Sequence, residues 1–276
     1  MLYLVGTPIG NLADLSPRAK EVLSGVDLIA CEDTRRTGLL LSEFGIENKL
    51  FSYHEHNKSS KGPILVSMLQ EGRNIALVTD AGMPCISDPG YDLVKLCEEA
   101  GLDVTAVPGP VAAVTALALS GINTRRYHFE GFIPSEGKER RERIKALTDV
   151  KVTIVLYEAP HRLLKTISEL IDAGFGDNRA AFCRELTKKY EQVLRMTISE
   201  SLEYWQNNPP KGEFVICMDP LPEESAASEM SEDDLNREII ELVNQGISTK
   251  EISVKLSEKT HKSKKELYKY ILNLIK

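Results

Sequence analysis

Short apolar runs alternate along the chain with segments whose apolar residues recur at helical spacing. Leu2–Val5, Ile75–Val78 and Val104–Val107 are β-prone stretches that read as strands, the second of them buried. Each opens into a loop, and the last is followed by an alanine-rich helical pattern at 111–120. After Gly121 a second series begins. Strands are predicted at 127–129, 152–156, 180–183, 192–198 and Phe214–Met218, with a charged helix at 138–147 and another at 160–172. Pro160 suits the first turn of that last helix, where an N–H is not needed. This alternation is the signature of α/β layers. It predicts one α/β domain over residues 1–120 and a second over 121–219. An acidic linker rich in Glu, Ser and Ala follows at 220–232, then a helical module at 233–276.

In that module Leu235, Ile239, Leu242 and Val243 share one helical face, and Ser248-Thr249-Lys250-Glu251 reads as a capping box. Ile252, Leu256, Leu267, Tyr270, Ile271 and Leu274 complete its apolar set. The pattern fits an RNA-binding appendage, and equally a bundle packed on the body or on a partner subunit.

The loop from Val78 to Gly90 is the most informative segment. Gly82 and Gly90 permit close backbone approach, while Pro84 and Pro89 keep the loop from coiling into helix. In open α/β sheets ligands bind outside such strand ends. Gly6-Thr7-Pro8-Ile9-Gly10-Asn11 and Pro108-Gly109-Pro110 repeat the theme after two further strands. No GxGxxG follows the first strand and no GxxxxGK[ST] occurs, so nicotinamide and nucleoside-triphosphate readings lose their main support.

Composition narrows the class. The chain has 276 residues, enough for two modest domains and an appendage, and its 27% charged content is that of a globular protein. No apolar run approaches the ~20 residues of a membrane helix. The first strand begins at Leu2, leaving no room for a signal peptide, so a cytoplasmic location is expected. Five scattered cysteines without a CxxC pair argue against disulfides and zinc. A net charge of −7 argues against indiscriminate nucleic-acid binding. Lys250, Lys255, Lys259, Lys262, Lys264, Lys265, Lys269 and Lys276 nevertheless make the tail basic, which is compatible with RNA docking.

Several motifs in order carry a family resemblance. Leu-Val-Gly-Thr-Pro-Ile-Gly-Asn (4–11), Ala-Cys-Glu-Asp-Thr-Arg (30–35), Asp-Ala-Gly-Met-Pro-Cys-Ile-Ser-Asp-Pro-Gly (80–90) and Val-Pro-Gly-Pro (107–110) resemble the tetrapyrrole-methylase superfamily. Gly-Phe-Ile-Pro (131–134), Tyr-Glu-Ala-Pro-His-Arg (157–162), Arg-Glu-Leu-Thr-Lys (184–188) and Lys-Gly-Glu-Phe (211–214) extend the likeness. Within the superfamily the chain most resembles the bacterial branch that 2′-O-methylates a cytidine in the decoding centre of 16S rRNA. The resemblance implies a two-domain fold with S-adenosylmethionine held in the cleft between domains. It also implies a homodimer, with 16S rRNA or the small ribosomal subunit as partner.

Carried over by position, the cofactor-facing residues would be Pro8, Ile9, Ala81, Gly82, Met83, Ile86, Val111, Ala112, Tyr157, Glu158 and Leu186. Many superfamily members have an acidic residue where this chain has Met83, which leaves Asp80 to take a ribose or ammonium contact. A ribose hydroxyl is a weak nucleophile and needs a proton acceptor or a stabilising cation. Glu185, Lys188 and Asp33 are the acid–base candidates, set against plainer roles as helix caps or ion pairs. Arg35, Arg36, Arg162, Arg184, Lys188 and Lys189 are candidates for RNA phosphates, and Tyr53, Tyr157 and Tyr190 for base stacking. His54-Glu55-His56 lacks a third metal ligand. Two other readings stay open: a methylase of the same fold acting on a tetrapyrrole or other small molecule, and a non-catalytic ribosome-assembly factor.

Overall fold

The computed structural model describes residues 1–222, 232–257 and 263–274. The chain forms two compact units, Met1–Pro220 and Leu221–Lys276.

In the first unit β1 (Leu2–Val5), β2 (Leu28–Cys31), β3 (Leu50–Ser52), β4 (Ile75–Val78) and β5 (Val104–Val107) make an all-parallel sheet ordered β3-β2-β4-β1-β5. Helices α1 (Pro17–Gly25) and α2 (Thr34–Glu43) cover one face; α3 (Lys58–Gln70) and α4 (Tyr91–Glu99) cover the other. Alternation along β4 sends Ala76 and Val78 into the first core and Ile75 and Leu77 into the second. Burial on both faces is why β2 and β4 read as unbroken apolar runs. Because β4, β1 and β5 are neighbours, the loops leaving their carboxyl ends converge.

A second sheet holds β6 (Tyr127–Phe132), β7 (Thr153–Glu158), β8 (Arg179–Arg184), β9 (Gln192–Thr197) and β10 (Phe214–Met218), ordered β6-β7-β10-β8-β9. Here β6 and β7 are parallel and the remaining pairs antiparallel. The strand expected at 192–198 stops at Thr197, which caps the helix Ile198–Asn207 in a capping box with Glu200. The helix expected at 160–172 begins as a 3-10 turn, Pro160–Arg162, and continues as a regular helix, Leu163–Leu170. It then widens into a π turn, Ile171–Phe175, where Gly174 takes φ 97°.

One helix lies elsewhere than its place in the chain suggests. The helix α5 (Ala112–Ser120) follows the last strand of the parallel sheet, yet its Ala113, Ala116 and Leu117 pack on Val155, Ala181, Cys183, Val215 and Cys217 of the second sheet. Small side chains allow this close seating.

Among the described residues the second unit holds three helices, at Glu232–Asn244, Thr249–Ser257 and Lys264–Leu274. Leu235, Ile239, Leu242, Ile252, Leu256, Leu267 and Ile271 form its core. The capping box forms as expected: the Glu251 N–H donates to Ser248 Oγ at 3.3 Å, and Glu251 accepts the Ser248 N–H at 3.2 Å. Most of the acidic linker, with Glu223, Glu224 and Glu229, and the basic Lys259, Lys262 and Lys276 fall outside the described residues. No described helix is long and apolar enough to cross a membrane.

Candidate cofactor cleft

The loop after β4 is tied to the loop after β1. The Thr7 N–H donates to the Gly82 carbonyl at 2.9 Å and the Gly82 N–H to the Thr7 carbonyl at 3.1 Å. The buried Thr7 hydroxyl reaches back to the Thr79 carbonyl at 3.1 Å. The loop after β5 closes on the same point. A Cβ on Gly6 would sit 2.7 Å from Gly109 Cα, and one on Gly109 would sit 2.8 Å from Gly6 Cα. Only two glycines allow these backbones to touch. Gly82 also needs its φ of 87°, and Cys85 and Ser87 adopt positive φ in the same loop without that freedom. Such strain persists only where surrounding contacts fix it.

Facing these loops are ends of the second sheet. Together they enclose a cleft of about 250 Å³. One wall is Ile9, Asp80, Ala81, Gly82, Met83, Ile86, Ser87, Asp88, Val111 and Ala112; the other is Phe132, Tyr157, Cys183, Leu186, Glu213, Phe214 and Val215. Arg36 also lines the cleft. The two walls meet through α5, whose Ala113 N–H donates to the Tyr157 hydroxyl at 3.2 Å. That bond satisfies one of the N–H groups a helix start leaves unpaired. Phe129 and Phe132 hold the Tyr157 ring from ring-centre distances of 5.1 and 5.3 Å.

A family profile described as Tetrapyrrole (Corrin/Porphyrin) Methylases matches residues 1–201. The chain belongs to that family. A relative from Synechocystis sp. named Ribosomal RNA small subunit methyltransferase I is 44% identical over 99% of this chain and 98% of its own length. A relative of the same name from Bacillus subtilis is 42% identical, with 97% of this chain and 92% of that protein covered. Among solved structures, uroporphyrin-III C-methyltransferase from Thermus thermophilus, complexed with S-adenosylhomocysteine, shares the fold with a TM-score of 0.56. The likeness covers 78% of this chain and 96% of that one at 15% identity.

In this tetrapyrrole methylase the cleft gathers all the cofactor candidates except Pro8 and Glu158. Pro8 turns into an adjoining hollow, which it shares with Gly10, Thr37 and Leu40. Glu158 does not face the cleft. It is 1% exposed and binds Arg162 at 2.7 Å, with the Thr166 hydroxyl donating to it at 2.5 Å. Thr166 in turn accepts from the buried Arg140. Tyr157 and Glu158 are consecutive on β7, so their side chains point to opposite faces of the sheet.

The acid–base candidates are engaged with one another or with backbone. Glu185, at φ 51°, accepts the Lys188 ammonium at 3.0 Å and the Glu213 N–H at 3.0 Å. Burial opposes its ionisation, but Lys188 and that N–H outweigh burial and hold its carboxyl below the usual range. Lys188 also reaches Glu213 at 2.8 Å; burial lowers its basicity, and the two carboxylates more than restore it. Neither Glu185 nor Lys188 lines the cleft. Asp33 caps α2, accepting the Arg35 N–H and guanidinium, which depress its pKa strongly.

Of the RNA candidates, Arg35 and Arg36 are exposed, paired to Asp33 and Asp80. Lys189 stands over exposed Tyr190 at 5.5 Å. Arg162 and Arg184 are used internally, by Glu158 and by the Lys211 carbonyl. Tyr53 is buried.

Sequence reasoning missed Asp88. Burial pushes its carboxyl up to about 7, Glu32 and Asp80 add to the shift, and the Thr79 hydroxyl opposes it. It also missed Phe132 and Glu213, although both lie in quoted motifs. Asp80 is paired to Arg36 through one oxygen, while its Oδ1 is buried without a hydrogen-bond partner.

Proposed function

We propose that this protein methylates the ribose 2′-oxygen of a cytidine in small-subunit ribosomal RNA, using S-adenosylmethionine. Near-full-length identity to relatives named Ribosomal RNA small subunit methyltransferase I carries this reading. The residues present suit the donor. Backbone loops pinned at Gly6, Gly82 and Gly109 leave room for a flat ligand against the sheet end. Asp80 Oδ1 is an unused acceptor for a hydroxyl or ammonium. Met83, Ile86, Val111 and Leu186 offer apolar cover.

When bound, the donor supplies a methyl group already activated as a sulfonium. The protein's task is therefore alignment, which can contribute up to ~7–11 kcal/mol. Exposed Arg35, Arg36 and Lys189 would meet RNA phosphates, and the basic tail from Lys250 on would add to docking. The reading includes a cytoplasmic homodimer, for which sedimentation at working concentration is the check; a monomer would remove that part.

The test is tritium transfer from labelled S-adenosylmethionine to small ribosomal subunits from cells lacking this protein, followed by nucleoside analysis. Labelled 2′-O-methylcytidine is the expected product. Cofactor binding without transfer to subunits or to free 16S rRNA would favour a small-molecule substrate.

A further inference from the structure

We propose that Asp88 accepts the proton of the ribose hydroxyl as it is methylated, an inference that rests on the methyltransferase reading above. Three carboxylates line the cleft: Asp80, Asp88 and Glu213. Arg36 holds Asp80 at 3.0 Å and Lys188 holds Glu213 at 2.8 Å. A carboxylate held by a cation is a poor base, because the cation stabilises its ionised form. Asp88 has no cation within ion-pair distance among the described residues, and none contributes to its electrostatics. The acids expected from the motifs are no alternative. Glu185 is bound by Lys188 and a backbone N–H, and Asp33 by Arg35, away from the cleft.

The groups around Asp88 all work in one direction except one. Glu32 at the end of β2 and Asp80 at the end of β4 repel its negative charge, and burial disfavours it further; the Thr79 hydroxyl alone stabilises it. Cys85 of the same loop and Tyr157 of β7 also sense its charge, and burial keeps both in their protonated forms. Arg36 on α2, the cation that lines the cleft, is engaged by Asp80. The result is a carboxyl that titrates at about 7, where a general base is most effective near neutral pH.

The step balances. As the ribose oxygen attacks the methyl carbon, its O–H bond breaks and the proton passes to the Asp88 carboxylate. The carbon–sulfur bond breaks and its electron pair returns to sulfur. One sulfonium and one carboxylate become one thioether and one carboxylic acid, and the proton later leaves to solvent.

The experiment is single-turnover methyl transfer to unmodified small subunits across pH, for wild type, Asp88→Asn and Asp88→Glu. S-adenosylhomocysteine affinity is measured by calorimetry alongside. The wild-type rate at saturating donor should rise with pH and level off above about 7. Asp88→Asn should lose roughly a hundredfold or more and the inflection with it, while keeping its affinity. Asp88→Glu should recover part of the rate with a shifted inflection. Asp88→Asn with wild-type rate or pH profile at saturating donor overturns the proposal, including the case in which only affinity falls. If Asp88→Asn fails to fold, an unshifted inflection in Asp88→Glu overturns it. A wild type that binds S-adenosylhomocysteine but methylates no RNA removes the underlying reading, and is distinct from either result.

Discussion

On the side of the parallel sheet the cleft wall is mostly backbone. Thr7 and Gly82 exchange peptide hydrogen bonds, and Gly6 lies against Gly109 with no space for a Cβ between them. On the side of the mixed sheet the wall is side chain. Tyr157 is held by two phenylalanines and a helix N–H, and a buried network of Glu158, Arg162, Thr166 and Arg140 supports the strand from behind. The first wall should therefore fail when atoms are added, and the second when atoms are removed. A cleft built this way keeps a fixed seat for one ligand on the wall that also carries Asp88.

The largest effect is expected from Glu158→Ala. Removing one partner of a buried ion pair costs about 3–5 kcal/mol, so the denaturant midpoint should fall well below wild type. An unchanged midpoint would mean that the network does not support the second wall. Next comes Gly109→Ala, which adds a single carbon against backbone and should cost about 1–3 kcal/mol, with weakened cofactor binding. Calorimetry with S-adenosylhomocysteine checks the second half; full affinity would show that the loop gives way freely. Tyr157→Phe removes one hydrogen bond and should cost about 0.5–1.5 kcal/mol.

pH adds a finer contrast, between Asp88 in the first wall and Glu185, which does not line the cleft. The Asp88 carboxyl is raised to about 7 in the folded state, so its contribution to stability is present below about 4 and is lost as pH rises through about 7. Glu185, held below its usual range, contributes in the opposite sense, losing stability as pH falls. The stability of Asp88→Asn relative to wild type should therefore improve between pH about 4 and about 8. Equal pH dependence of the two proteins in urea titrations would contradict this. The smallest effect is expected from ending the chain at Pro220, where the first unit ends with its own cores intact. RNA association should weaken while cofactor affinity stays near wild type, and loss of cofactor binding in the folded truncation would make the tail structural.

The backbone wall was the more legible of the two. Strands buried on both faces leave continuous apolar runs such as Ile75–Val78, and glycine and proline mark the loops between. Side-chain roles were read less well, because direction and partners decide them. Asp33 could be read as catalyst or cap, and only the fold shows it bonded to the Arg35 N–H. Strand alternation would have separated Tyr157 from Glu158, a signal present in the sequence that motif likeness overrode. Asp88 could not have been singled out, since its proton affinity depends first on burial and then on Glu32, a distant residue brought close by neighbouring strands. The seat of α5 on the second sheet was equally hidden, because an alanine face suits either sheet.

The most direct test of the cleft itself is calorimetric titration of S-adenosylhomocysteine into wild type and Ala112→Trp, a substitution that fills the space between the walls. Wild type should bind at one site per chain, and Ala112→Trp should not bind while keeping the wild-type circular-dichroism spectrum. Undiminished binding to the filled variant, or none to wild type, would contradict the placement of the cofactor between the two sheets.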